Sequence, residues 1–144
     1  MTRLFRGMKK GSRGRPEIGP GARTLGVRPG IDVVASSPGD PVRPGQGGLS
    51  VSPDSPMNLP SHRRPPEYQG VGRDPVWSID TSELGPDLSY RPDPDKEGHG
   101  FVEPARVMTL DEYRGALGRT QDRWQEDGSA AAPPKQGSPS DASG

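Results

Sequence analysis

GQGGLSVSPDSP, residues 45–56, is the stretch on which the fold turns. By composition it is a linker, because glycine, serine and proline surround only two aliphatic side chains. By spacing it is a strand: Leu49 and Val51 lie two apart, with Ser50 and Ser52 between and after them. Side chains along a strand alternate between faces, so the two aliphatics point one way and the two hydroxyls the other. The glycines before and the Pro-Asp-Ser-Pro run after supply turns at both ends.

Four further strands can be read outward from it. TRLFRGM alternates Leu4, Arg6 and Met8 against Phe5, which predicts a short strand with Arg6 near its end. PVWSID puts Trp77 and Ile79 on one face and Val76 and Ser78 on the other, and DLSYR and GHGFVEP follow. The last two are separated by PDPDKEGH, whose Pro, Asp and Gly residues suit a connection between antiparallel strands. A further β-branched run at Ile31 to Ala35 reads as another short strand. The expectation is four to six strands, mostly paired as hairpins.

MTLDEYRGALGRTQDRWQ is the helix. Thr109 with Glu112 three residues on forms a capping box, and Met108 stands where it can staple onto Tyr113. Leu110, Tyr113, Leu117 and Trp124 recur at helical spacing, predicting a helix that covers one side of the sheet, with Gly118 weakening its last two turns.

Composition limits what these elements can build. Hydrophobic residues make up 27% of the 144, and the 21 Gly and 19 Pro predict long loops around a small core. Without cysteine there is no disulfide framework and no thiolate chemistry. No twenty-residue apolar run occurs, and MTRLFRGMKK leads into Gly-Ser-Arg-Gly instead of an apolar signal core, so neither a membrane span nor a Sec-type leader is expected.

The overall charge is zero but unevenly spread. Residues 1–30 hold eight Arg or Lys against one acid, whereas residues 67–127 hold fourteen acids against seven bases. Such halves attract, either as a basic loop lying on an acidic surface or as a basic arm free to bind phosphate. SHRRPPEYQG leaves the same two readings open, an anion grip or a solvated turn.

Chemistry-bearing residues are few. His62 and His99 are the only histidines, and Asp93, Asp95 and Glu97 lack the rest of a calcium-loop pattern, so no metal site is expected. Ser50 lacks the Gly-x-Ser-x-Gly elbow of an exposed nucleophile. Glu103 ends the apolar strand GFV and precedes Pro104, which presents its carboxylate either from a rigid edge or as an ordinary solvated strand end.

The order of arginine in LFRGM, serines in GLSVSP and glutamate in HGFVEP resembles that of the ADP-ribosyltransferases. Residues 2–125, apart from the Gly-rich insert, look like the compact ADP-ribosyltransferase-like toxin domains that bacteria deliver into competitors through type VI secretion or polymorphic toxin systems. The resemblance implies an α+β fold, a small split β-sandwich with long Gly/Pro-rich loops and one C-terminal helix. It implies a domain at 1–125 carrying a flexible Gly/Arg-rich insert at 9–30, followed by a disordered tail at 126–144.

By the same resemblance the cofactor is NAD. Arg6 would hold a phosphate or the nicotinamide ribose, Ser50 and Ser52 would support the cofactor-binding strand, and catalytic Glu103 would accept a hydrogen bond from the ribose 2′-hydroxyl. A carboxylate there opposes the positive charge that develops on the ribose as nicotinamide leaves. The partners implied are a cognate immunity protein and an acceptor macromolecule, with no membrane, and the location is cytoplasmic or inside a target cell after delivery. The chain departs from the family at two places. Its serine strand reads Leu-Ser-Val-Ser, and Phe101 stands where arginine-modifying members carry a second acid, which leaves the acceptor open. On this reading GQGGLSVSPDSP is strand and site floor. The alternative is a non-catalytic, partly disordered interaction protein whose basic arm and Pro-rich segments bind an acidic partner or nucleic acid. An RNA 2′-phosphotransferase-like activity in the same broad fold is a third.

Overall fold

A computed structural model describes residues 2–127. It contains strands β1 (Arg3–Gly7), β2 (Pro41–Val42), β3 (Leu49–Pro53), β4 (Val76–Asp80), β5 (Leu88–Pro92), β6 (Gly100–Pro104), β7 (Met108–Thr109) and β8 (Gln125–Asp127), with one α-helix, α1 (Leu110–Gly118). Six strands form a sheet in the order β5-β6-β3-β1-β4-β8, and β2 and β7 form a separate ribbon. Every strand pair is antiparallel, so the chain folds as a small α+β domain.

β3 holds the sheet together, as the alternation at residues 49–52 implied. Leu49–Val51 pair with Val102–Gly100 of β6, whereas β1 is met only through Phe5 opposite Ser52 and Leu4 opposite Pro53. β3 therefore changes partner halfway, and the β1–β3 ladder is missing beside Arg6. β1 instead pairs along its full length with β4. The main core lies on one face of this sheet, under α1, and contains Leu4, Leu49, Val51, Trp77, Ile79, Val102, Leu110, Tyr113, Leu117 and Trp124. On the other face Phe5 and Val76 are covered by Leu59, so both faces of β4 are buried.

The helix begins where the capping box placed it. Thr109 Oγ1 accepts the Glu112 N–H at 3.1 Å, and Glu112 Oε1 accepts the Thr109 N–H at 2.9 Å. Its end falls short of the expected one, because α1 stops at Gly118. A turn at Thr120 and a short 3₁₀ segment at Gln121–Arg123 then carry Trp124 back into the core, 1% exposed. Thr120 anchors this reversal: its hydroxyl donates to Leu117 O and accepts the Trp124 indole N–H at 2.9 Å.

Two other expectations, both about strands, are corrected. Ile31 to Ala35 form no strand: a turn in which Ile31 and Asp32 both donate to Arg28 O leaves Ile31 and Val34 exposed, while Val33 and Ala35 are buried. There are eight strands instead of four to six, and only β5 and β6 pair as sequence neighbours. Glu126 and Asp127, expected at the start of the tail, pair with Trp77 and Val76 in β8. The rest of the expected tail, 128–144, lies outside the described residues. The 9–30 segment, expected as a flexible insert, places Leu25 and Val27 in the core.

Candidate functional site

The gap between β1 and β3 is filled by the side chain of Arg6. Its residue is only 7% exposed, yet no carboxylate pairs with it among the described residues. Nε and Nη2 both donate to Thr24 O (3.3 and 2.8 Å), Nη2 also donates to Ala22 O (3.1 Å), and Nη1 donates to Ser50 O (2.8 Å). A guanidinium has five N–H groups, so one Nη1 hydrogen is left over. The turn that offers these carbonyls is fixed by Thr24, whose hydroxyl lies 2.7 Å from Gly19 O and 2.8 Å from Gly21 O. Burial pushes the Arg6 guanidinium down to about 10, and the nearby charges of Arg63 and Arg28 push the same way against Asp32. A shift of that size corresponds to about 3 kcal/mol that the fold spends to keep this cation charged.

Arg6 forms the floor of a cavity of about 170 Å³, whose polar wall is Arg28, Asp32, Ser50, Ser52, Arg63, Lys96 and His99. Asp32 is the one carboxylate in this wall, and Arg28 occupies both of its oxygens at 2.9 and 3.1 Å. The cavity therefore gathers positive charge around a desolvated guanidinium with a free donor, a set of groups suited to an oxyanion. Ser50 and Ser52, expected to support this strand, both line it.

Glu103 sits on β6, outside that lining, and is 6% exposed. Its Oε1 accepts the Gly45 N–H and the Arg91 Nε–H, each at 2.8 Å, so a cation and a backbone donor hold this buried side chain in place. Gly45 reaches it from a turn with φ of 87°, a backbone conformation that favours glycine. Arg91 continues over the Phe101 ring at 4.9 Å, and that ring meets the edge of His99 at 4.9 Å. His99 in turn bonds Asp93 at 2.7 Å and lines the cavity. The Asp95 N–H, with His99 second, holds the Asp93 carboxyl below its usual range. Arg91 on β5, Phe101 on β6 and His99 in the connection between these strands thus link Glu103 to the cavity.

Tyr113 fixes the same strands from the core side. Its hydroxyl accepts the Leu49 N–H at 3.1 Å and donates to Val102 O, bridging β3 and β6 where direct pairing ends. Burial pushes this phenol's pKa well above its usual value, so the bridge stays protonated.

The structure therefore brings together three of the four expected residues, Arg6, Ser50 and Ser52, with Glu103 beside them on the neighbouring strand. Arg28, Asp32, Lys96 and the Ala22 and Thr24 carbonyls were not singled out by the sequence, and His99 was weighed there only as a metal ligand. Only the positive charge of residues 1–30 hinted at Arg28. Among the described residues, no helix is long and apolar enough to cross a membrane. No three His, Asp or Glu side chains among them stand close enough to hold a metal ion. No protein-family model matches the chain, and no curated protein or solved structure is significantly similar to it.

Proposed function

We propose that this chain is an NAD-dependent ADP-ribosyltransferase-like toxin domain, a split-sheet fold in which β1 and β3 part to admit the substrate. The observation that carries the reading is Arg6, a buried cation without a carboxylate partner at the break between two central strands, on the floor of a cationic cavity. A buried cation held by neutral carbonyls keeps an uncompensated charge, and a dinucleotide's diphosphate is an anion that would compensate it.

The donor set fits NAD in part. A cavity of about 170 Å³ takes a phosphate-bearing portion and not a whole dinucleotide. Arg6, Arg28 and Arg63 would hold the phosphate oxygens, with Ser50 and Ser52 on the strand beneath. NAD supplies an ADP-ribosyl group, whose bond to nicotinamide breaks with the electron pair leaving on nicotinamide. Glu103, held in place by Arg91 and Gly45, opposes the positive charge that this cleavage develops, and its Oε2 is free to accept a sugar hydroxyl. Delivery into a target cell and restraint by a cognate immunity protein belong to the same proposal. Induced expression inside bacteria tests it: growth should stop and cellular NAD should fall, and unaffected growth with unchanged NAD would refute it.

A further inference from the structure

The stretch SHRRPPEYQG takes two different courses in the fold. Arg64 turns inward and donates to Tyr68 O at 3.0 Å, whereas His62 and Arg63 face a second cavity, of about 150 Å³. Arg23, Gly72, Arg73 and Asp74 complete its polar wall. The one carboxylate there is already used, since Asp74 receives both arms of Arg23 at 2.6 and 2.7 Å. Neither Arg63, Arg73 nor His62 pairs with a carboxylate among the described residues. Two guanidinium groups and an imidazole thus surround a small polar hollow whose one carboxylate is taken by Arg23.

This hollow adjoins the first cavity, because Arg63 lines both. The junction is fixed by close packing: a side chain at Gly7 would come within 2.9 Å of Arg63 O, and one at Gly72 within 2.7 Å of His62 O. The turn carrying His62 and Arg63 is therefore held against the end of β1, next to Arg6.

We propose that the second cavity is a phosphate-binding site. Arginine forks match phosphate oxygens two at a time, and a hollow of this size holds a phosphate with water to spare. A phosphate seated there would lie one arginine away from the cavity that Arg6 floors. That phosphate can come from a nucleic-acid strand or from free inorganic phosphate. If it belongs to a strand, the strand is the acceptor of the transferred group. That assignment rests on the proposed transferase; the binding site does not.

Arg73 is the residue to change, since it is exposed and takes no part in the first cavity. Anisotropy of a labelled single-stranded RNA dodecamer, without NAD, should show binding by the wild type and about tenfold weaker binding by Arg73→Glu, with Arg73→Gln between them. The salt dependence of binding should become shallower by about one phosphate's worth in both variants. If RNA does not bind but inorganic phosphate raises the melting temperature of the wild type more than that of Arg73→Glu, the site stands with free phosphate as its ligand. NAD-induced thermal shifts should be the same in wild type and both variants, which separates failure here from failure of the transferase reading. Equal RNA and phosphate responses in wild type and Arg73→Glu would overturn the site. So would a polyglutamate peptide that binds as tightly as RNA of equal charge, since it would make the hollow a carboxylate-docking surface.

Discussion

Replacing Arg6 by methionine should weaken the fold and abolish its response to anions. Methionine keeps the apolar stem but removes the charged head, so two effects oppose each other. Losing the buried cation removes a desolvation cost, the direction that its depressed pKa records. Three carbonyls, those of Ala22, Thr24 and Ser50, then lose charged donors. Hydrogen bonds to a charged group contribute about 1.5–3 kcal/mol each, which totals roughly 5–9 kcal/mol before water enters the cavity to replace part of them. The net expectation is a loss of about 2 kcal/mol, or roughly 5–10 °C in melting temperature for a domain of this size. Diphosphate at tenfold its dissociation constant should raise the wild-type melting temperature by about 1.4 kcal/mol of linkage and the variant's by almost nothing. A thermal melt followed by near-ultraviolet circular dichroism, with and without diphosphate, reads both numbers. A variant that keeps the full diphosphate response would refute the assignment of Arg6 as the anion's anchor. A variant more stable than wild type would show that the carbonyl cage contributes less than the desolvation it imposes.

Other changes follow from the same packing. Trp124→Ala should cost about 3–5 kcal/mol in denaturant unfolding although it lies beyond the helix, because the indole is fully buried. Thr109→Ala should cost about 1 kcal/mol through the capping box, with little change in the unfolding m-value. Gly48→Ala should disrupt β3–β6 pairing, since a methyl there would stand 2.6 Å from Val102 O, and amide exchange of Leu49–Val51 should rise. Stability should fall as the solution is made acid: Asp40, Asp87 and Asp93 have folded pKa values below the ordinary 3.8, so their contribution is complete above that pH and is lost as pH falls through the folded values. Acid titration of the melting temperature checks that direction.

Local signals in the sequence were strong where apolar residues alternate along a strand or a capping pair opens a helix. Alternation at Leu4–Met8, Leu49–Ser52 and Val76–Ile79 marks β1, β3 and β4, and the Thr109–Glu112 pair marks the start of α1. Non-local geometry left no comparable trace. β8 is Gln-Glu-Asp, polar throughout, and is a strand only because β4 offers it an edge. Trp124 keeps a helical spacing from Leu117 by coincidence, reaching the core through a turn. The carbonyl cage around Arg6 comes from backbone at residues 22–24, and backbone acceptors carry no residue-type signature. Arg6, Ser50, Ser52 and Glu103 were legible as strand residues. Their spatial relation depended on β3 changing partners, which residue types do not encode.

Nicotinamide release from NAD by purified wild-type protein and by Glu103→Gln, at equal concentration, tests the central claim most directly. Glutamine keeps the size of the side chain and one oxygen acceptor but removes the charge that Arg91 and the Gly45 N–H hold in place. The account predicts measurable release by the wild type and a loss of at least about a hundredfold in the variant, with the folded state of both verified by their near-ultraviolet spectra. Equal release by the two proteins would contradict it.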